Sequence, residues 1–239
     1  MDKIITFRKI AKKHGFRCAL TSTKQHILYN FAGIYMSRYD LSTFERSDSA
    51  KNQVLWVSPS DIEYFQPSLF DRFLNEFDRN KYPDPVVGGH WDRLRVSIDD
   101  RVFYRSLEEH FLNGVPWEDT MFIEQCLNDL ENGYTTWHGC ENPKDLWRKA
   151  KEVDNIYKSI LNQGYKTHGE RNKEPTSEVR INIDRSGSLI QSVDGKHRIT
   201  IAKLLNINQI PVCVFCRHKL WESRRKSSKY ASHPDALSQ

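Results

Sequence analysis

The sequence predicts an α+β protein, a small mixed sheet with packed helices, preceded by a helical N-terminal module. Three observations predict it. Residues 94–98 and 179–183 alternate apolar with polar side chains, the period of a strand with one wet face. Residues 118–132 and 145–163 place apolar residues three and four apart, the period of a helix with one buried side. Residues 210–215 (IPVCVF) are almost wholly apolar, as expected of a strand covered on both faces.

In chain order, residues 2–14 read as a short basic helix ending at Gly15, with Ile4, Phe7, Ala11 and His14 on one side. Such a helix suits peripheral contact with an anionic membrane surface, or a solvated position on the body. Residues 42–52 are polar and Ser-rich, a loop. Leu55–Val57 suits a strand that Pro59 ends, and Ser68 opens a helix with the stripe Leu69, Phe70, Phe73, Leu74 and Phe77. Pro83, Pro85, Gly88 and Gly89 predict a rigid connection and a module boundary. After the strand at 94–98, Ser106 with Glu109 predicts a capping box on a helix that closes at Gly114. Two longer helices follow, with Gly133 and Gly164 just past their ends. Residues 179–183 and 189–193 then form a hairpin across the turn Arg185-Ser186-Gly187-Ser188. A helix follows, with Ile199, Ala202 and Leu205 on one face and Asn206 as a left-handed cap, and the apolar strand at 210–215 closes the core. The domains expected are 1–90, 91–218 and a basic flexible tail at 219–239.

Composition excludes several classes. The chain has 239 residues, 38 % hydrophobic and 28 % charged, with ample aromatics for a core. Its longest apolar run falls far short of the roughly 20 residues that cross a bilayer. The basic first residues lack a secretory h-region, and no long repeat is visible. The net charge of +5 is uneven: residues 1–26 carry +6, residues 219–239 carry +3, and the body between carries −4. An acidic body disfavours nucleic acid as the main ligand, since phosphate contacts need a basic folded surface. Five cysteines at wide spacing fit a reducing, cytoplasmic setting. Cys213 and Cys216 form a CxxC within a strand, where they point to opposite faces, so buried thiols are expected instead of zinc ligands. His90, His110, His138 and His168 lack metal-ligand spacing.

The segment Asp194-Gly195-Lys196-His197-Arg198 is where chemistry is expected. Asp194 stands where a helix N-cap is wanted, and Gly195 allows a tight turn. The first amides of the following helix have no intrahelical partners and attract phosphate. Three cationic residues in a first turn oppose the helix dipole, and a bound polyanion accounts for them. A second reading stays open here: Lys196 in solvent, His197 packed, and Arg198 paired with Asp184 or Glu178.

The stretch VRINIDRSGSLIQSVDGKHRITIAKLLNINQIPVCVF resembles the core of the ParB/sulfiredoxin-like superfamily. The likeness lies in the strand pair, the D-G-x-H-R-type loop, the alanine-bearing helix and the "IPV" strand. The helix VDNIYKSILNQGY before it is similar to the one that leads into that family's nucleotide pocket. The resemblance covers about residues 145–218 and reaches back to the strand at 94–98; residues 1–90 carry none.

It implies a nucleotide-binding enzyme using ATP or CTP with Mg²⁺. The expected reactions are kinase-like phosphoryl transfer to a small or polymer-linked hydroxyl acceptor, or nucleotide hydrolysis. Gly195, His197 and Arg198 would contact phosphates, with Lys196 and Lys166 as further cations. Asp194 would shape the loop or help hold Mg²⁺, and the base lies open between Glu178 and Asp184. No cysteine stands near the loop, which disfavours peroxiredoxin repair. The residues after His218 are too few for the helix-turn-helix of partition proteins. The alternatives are a DNA-directed ParB-like nuclease, a nucleotide-gated DNA-binding protein, or a sensor that binds nucleotide without chemistry. In the DNA readings Trp91, Trp117, Trp137 and Trp147 would offer stacking surfaces; in the plainer reading they pack the core.

Overall fold

The long apolar strand expected near residue 210 is the axis of a mixed sheet. A computed structural model of the chain describes Lys12 and residues 45–46, 54–66, 85–93, 95–171, 178–192, 194–227, 229 and 231–235. The helix expected at 2–14 and the one opening at Ser68 lie outside the described residues, apart from Lys12, which is helical. The chain divides into two units, Met1–His26 with Asp99–Gly164, and Ile27–Ile98 with Tyr165–Gln239.

The second unit holds the sheet. Its described strands are β1 (Glu45–Arg46), β2 (Val54–Val57), β3 (Ile62–Phe65), β4 (Pro85–Val87), β5 (Val96–Ser97), β6 (Val179–Ile183), β7 (Leu189–Gln191) and β8 (Ile210–His218). They run in the order β1-β4-β8-β6-β7-β3-β5, with β2 also paired to β8. All nine residues of β8 are buried. One edge of β8 pairs in parallel with β6, Ile181 opposite Val214. The other edge takes β2 antiparallel beside Ile210–Cys213 and β4 in parallel beside Arg217 and His218. The hairpin β6–β7 is antiparallel, as expected from the alternation. Glu45–Arg46 pairs with β4 although a loop was expected there, and Pro85–Val87 is a strand although a connection was expected. The sheet therefore runs through the boundary expected at residue 90: β2 and β4 flank β8 directly.

Helix α4 (Lys196–Leu204, numbered after three helices of the other unit) joins β7 to β8 and packs against β6 and the turn Pro59–Asp61. Its C-cap is Leu205, not Asn206 as expected, and Asn206 just past it is left-handed at φ +50°. A cluster along the sheet buries Val87, Trp91, Ile190, Phe215 and Cys216, with Tyr64 against them. Cys213 and Cys216 are buried thiols. Beside this cluster Asn182 Nδ2 donates to Gln66 Oε1 at 2.8 Å, and Gln66 Nε2 donates to the Trp91 carbonyl at 3.0 Å.

The segment expected as a basic tail enters the core instead. Helix α5 (Lys219–Arg224) follows β8 directly, and Trp221, Arg225 and Asp235 are fully buried. Gly187, in the β6–β7 turn at φ +96°, touches this segment. An added Cβ there would lie 2.8 Å from the Trp221 ring. Gly187→Ala should destabilise the fold by about 2–4 kcal/mol, combining a strained left-handed backbone with overpacking against a rigid indole. Urea unfolding measures it.

His218 caps α5: its Nδ1 accepts from Leu220 N at 3.0 Å, so Nε2 carries the proton and donates to the Gly89 carbonyl at 3.1 Å. Burial lowers its pKa, against the opposing pull of the Gly89 bond and of Asp92. The folded state thus holds the neutral ring, whereas an unfolded histidine protonates near about 6.5. Below that pH the unfolded chain binds the extra proton, so this contribution is present above about 6.5 and lost as pH falls toward the lower folded value. Stability should fall as pH drops below about 6.5, and His218→Gln should flatten that fall in denaturant titrations.

The first unit is helical. Its described helices are α1 (Val102–Asn113), α2 (Met121–Glu131) and α3 (Pro143–Gln163). Helix α1 begins before Ser106, so no capping box forms there; Ser106 is buried, and its Oγ accepts from Phe122 N at 3.1 Å. Gly114, Gly133 and Gly164 adopt positive φ just past the helix ends, as expected. Asn142 caps α3 through Asp145 N at 3.0 Å. Leu146, Ala150, Val153 and Ile160 form its buried stripe, while Tyr157 stacks on Phe111 at 4.0 Å. Trp117 and Trp137 pack inside with Phe103 and Phe122. Trp91, in the sheet unit, is buried too, and Trp147 alone of the four considered is 39 % exposed. No helix among the described residues is long and apolar enough to cross a membrane.

Candidate functional site

The loop between β7 and α4 is shaped by a close approach of two backbones. Gly195 stands at φ +80°, and a Cβ built on it would lie 2.9 Å from the Val179 Cα and 2.7 Å from its Cγ2. Only glycine provides both the left-handed conformation and the missing side chain. Gly195 is itself the N-cap of α4, a correction to the expectation for Asp194, and no side chain caps the helix. The first intrahelical bond runs from Ile199 N to the Gly195 carbonyl at 3.0 Å. An α-helix leaves the N–H groups before that point without partners inside the helix. Lys196 and His197 stand half-buried beside them.

Two ion pairs straddle this contact. On one side Asp194 meets Arg180 at 3.0 Å, with the carboxylate 57 % exposed, and the Arg180 guanidinium lies 5.4 Å from the centre of the Phe215 ring. On the other side Arg198 Nη1 meets Glu178 Oε2 at 3.2 Å, and its Nη2 donates to the Lys166 carbonyl. Its guanidinium also stacks on Tyr165, 4.1 Å from the ring centre. Glu178 is 3 % exposed and further accepts from His168 N. Burial lowers the Arg198 pKa, and the neighbouring Arg171 lowers it further, while Tyr165 and Glu178 raise it; an arginine starting so high stays charged. Among the described residues the buried Tyr165 hydroxyl and Arg171 Nη2 have no hydrogen-bond partner, and burial pushes the Tyr165 pKa well up.

Of the residues expected to act, the structure gathers Gly195, Lys196, His197, Arg198, Asp194 and Glu178 around the start of α4. Within that group Arg198 and Glu178 are bound to each other, the pairing that the second sequence reading offered. The part Lys166 plays at Arg198 is its backbone carbonyl, and its residue is exposed.

Asp184 stands apart, at the far end of β6. Strand geometry puts it on the order of 13 Å from Arg180. It is 2 % exposed and fastens the hairpin turn: Oδ1 accepts from Ser186 N at 2.7 Å, Ser186 Oγ at 2.6 Å and Ser188 N at 2.8 Å, and Oδ2 meets Arg95 at 2.6 Å. Next to it Arg185 grips Asp92 with Nε at 2.6 Å and Nη2 at 2.7 Å. Burial raises the Asp92 pKa, yet the hydrogen bonds from Arg185 outweigh it and hold the carboxyl below its ordinary range. These acids build the turn.

Arg180, Tyr165, His168 and Arg171 are the neighbours that sequence reasoning missed. For Arg180 the signal was present, since strand alternation places it on the wet face one residue from the glycine contact. Nothing in the local pattern marks Tyr165 or Arg171. Among the described residues no group of three His, Cys, Asp or Glu is placed to hold a metal ion. A Mg²⁺ ion usually takes only one or two carboxylates when nucleotide phosphates supply the rest, and Asp194 fits that limited part. The chain matches no protein-family model, no curated protein and no solved structure.

Proposed function

We propose that the sheet unit carries a ParB/sulfiredoxin-like core and binds the polyphosphate of a nucleotide, ATP or CTP, at the opening of α4. The observation that supports this reading is the Gly195–Val179 contact, which presents first-turn amides with Lys196 and His197 beside them. Oriented amides and the helix dipole favour a phosphate there, and the two side chains add donors. Arg198 has a different part from the one expected. It is a strut that fixes the first turn of α4 to Glu178 and to the Lys166 carbonyl.

In the enzymatic form of the proposal, phosphoryl passes to a hydroxyl acceptor or to water. Asp194 would be the protein's carboxylate toward a nucleotide-bound Mg²⁺, which would supply charge neutralisation at the phosphates. Lys196 and His197 steady the phosphate oxygens, and most of the acceleration comes from such positioning and charge neutralisation. Glu178 and Asp184, buried in their own ion pairs, favour a second reading, a sensor that binds nucleotide without chemistry.

A thermal-shift panel of ATP, CTP and GTP with and without Mg²⁺ tests the binding. A ligand at about 100 times its Kd adds roughly 2.7 kcal/mol, and Lys196→Ala/His197→Ala should abolish the shift measured against the variant's own ligand-free midpoint. No shift with any of the nucleotides overturns the proposal. Product formation over prolonged incubation separates the enzyme from the sensor.

A further inference from the structure

Helix α3 carries a charge pattern that the packing of its own unit does not use. Of the seven Lys and Arg between Asp99 and Gly164, five lie on α3, while α2 carries three acids and no cation. At about 100° per residue, Lys144, Trp147, Arg148, Lys151 and Lys158 share one face about 100° wide. All five are exposed, and the buried stripe of Leu146, Ala150, Val153 and Ile160 lies across the helix from them. The acids of α3 fall outside that face. Asp145 is held by Asn142 and Arg148, Glu152 by Lys149 at 2.7 Å, and Asp154 meets His110 and the Trp117 indole. Locally, then, the charge runs against the acidic average of the body.

Over its first turns this face opens into a hollow of about 690 Å³, lined by Asn142, Lys144, Asp145, Trp147, Arg148 and Lys151. Asp145 offsets one of the three cations there. Trp147 is 39 % exposed. The other tryptophans of this unit are packed on rings, Trp117 on His110 at 4.2 Å and Trp137 on Phe122 at 5.0 Å. Among the described residues no ring packs on Trp147. A row of cations suits any polyanion, and the open indole narrows the choice to one that also brings a π face.

We infer that this face of α3 binds single-stranded nucleic acid, with Lys144, Arg148, Lys151 and Lys158 along the phosphates and a base stacked on Trp147. Single strands combine a charged backbone with unpaired bases, and cations interleaved with an aromatic answer both. A duplex keeps its bases stacked on one another, and an acidic peptide leaves the indole unused. A membrane surface asks for a broad apolar face, which α3 turns inward. From Lys144 to Lys158 the helix rises about 21 Å, a track for several phosphates. This face belongs to the helical unit and does not depend on the α4 site.

The test is fluorescence anisotropy of the full chain with a labelled oligothymidylate of about 15 nucleotides, titrated from about 50 to 200 mM salt. Trp147→Ala should weaken binding about 5- to 150-fold with the salt slope unchanged, and Trp147→Phe should recover most of the loss. Lys144→Gln/Arg148→Gln/Lys151→Gln should reduce the slope of log K against log salt by about 2, roughly 0.7 per cation. These positions are exposed, so the thermal midpoints should stay near that of the parent. A triple variant with the parent's slope would place the binding on other cations, such as those of residues 1–26, and overturn the assignment. So would Trp147→Ala binding as tightly as the parent, or no measurable binding at low salt. A duplex, polyglutamate or phosphatidylserine vesicles binding as tightly as the single strand would overturn it as well.

Discussion

Arg198→Ala should cost about 3–5 kcal/mol of stability, because it strands a buried carboxylate. Glu178 is 3 % exposed and Arg198 11 % at the side chain, so solvent does little to screen the pair. The loss has three parts: the Glu178 pairing, the bond to the Lys166 carbonyl, and the cover over the Tyr165 ring. The first dominates, since the two neutral contacts leave no uncompensated charge. Adding Glu178→Gln to Arg198→Ala should therefore restore part of the loss, with a coupling of about 1–3 kcal/mol in a double-mutant cycle. Denaturant midpoints of the four proteins measure it. A single mutant within about 0.5 kcal/mol of the parent would mean that the pair holds nothing. The same geometry changes how ligand data are read. Lost nucleotide binding in Arg198→Ala would follow from a displaced α4 whether or not the guanidinium touches phosphate, so Lys196 and His197 carry the binding test.

The strands and helices legible in the sequence are those whose own residues state their burial. β6 alternates, α3 repeats apolar residues at helical spacing, and Gly114, Gly133 and Asn206 mark chain reversals with positive φ. Each is a local signal with a local cause. β1 and β4 were not legible, since two or three residues carry no period and Pro85 argues for a turn; their strand state comes from pairing with each other and with β8. At the candidate site the loop itself was readable, glycine and cations included. The partners of its charges were not. Asp184 and Glu178 flank the same strand and look equivalent in sequence. The hairpin turn folds Asp184 back onto its own amides, whereas Glu178 faces the incoming α4. Which acid meets which base depends on elements far apart in the chain, and alternation gives only the face. The C-terminal segment misled for the opposite reason. Its basic, small-residue composition matches a solvated tail, yet Trp221 and Asp235 supply the anchors that bury it.

Gly195→Ala tests the backbone contact on which the candidate site depends. The substitution adds two costs. A non-glycine residue at φ +80° sits in the left-handed region at about 1 kcal/mol or more. Its Cβ would also stand 2.9 Å from the Val179 Cα, a main-chain atom at the start of β6, held opposite Val212 of β8, that cannot swing aside. Together they predict a loss of about 2–5 kcal/mol, with the start of α4 pushed off β6. Two companions separate the costs. Gly195→Asn tolerates the left-handed backbone better but keeps the Cβ, so it should be nearly as damaging as alanine if the overlap dominates. Val179→Ala in the Gly195→Ala background removes the Cγ2 at 2.7 Å but not the Cα, so the rescue should be partial. Because both ion pairs flank this contact, hydrogen exchange in Gly195→Ala should rise together in the first turn of α4 and at the start of β6. Exchange that rises in α4 alone would place the strain inside the helix and remove the two-backbone contact as the organiser of the site.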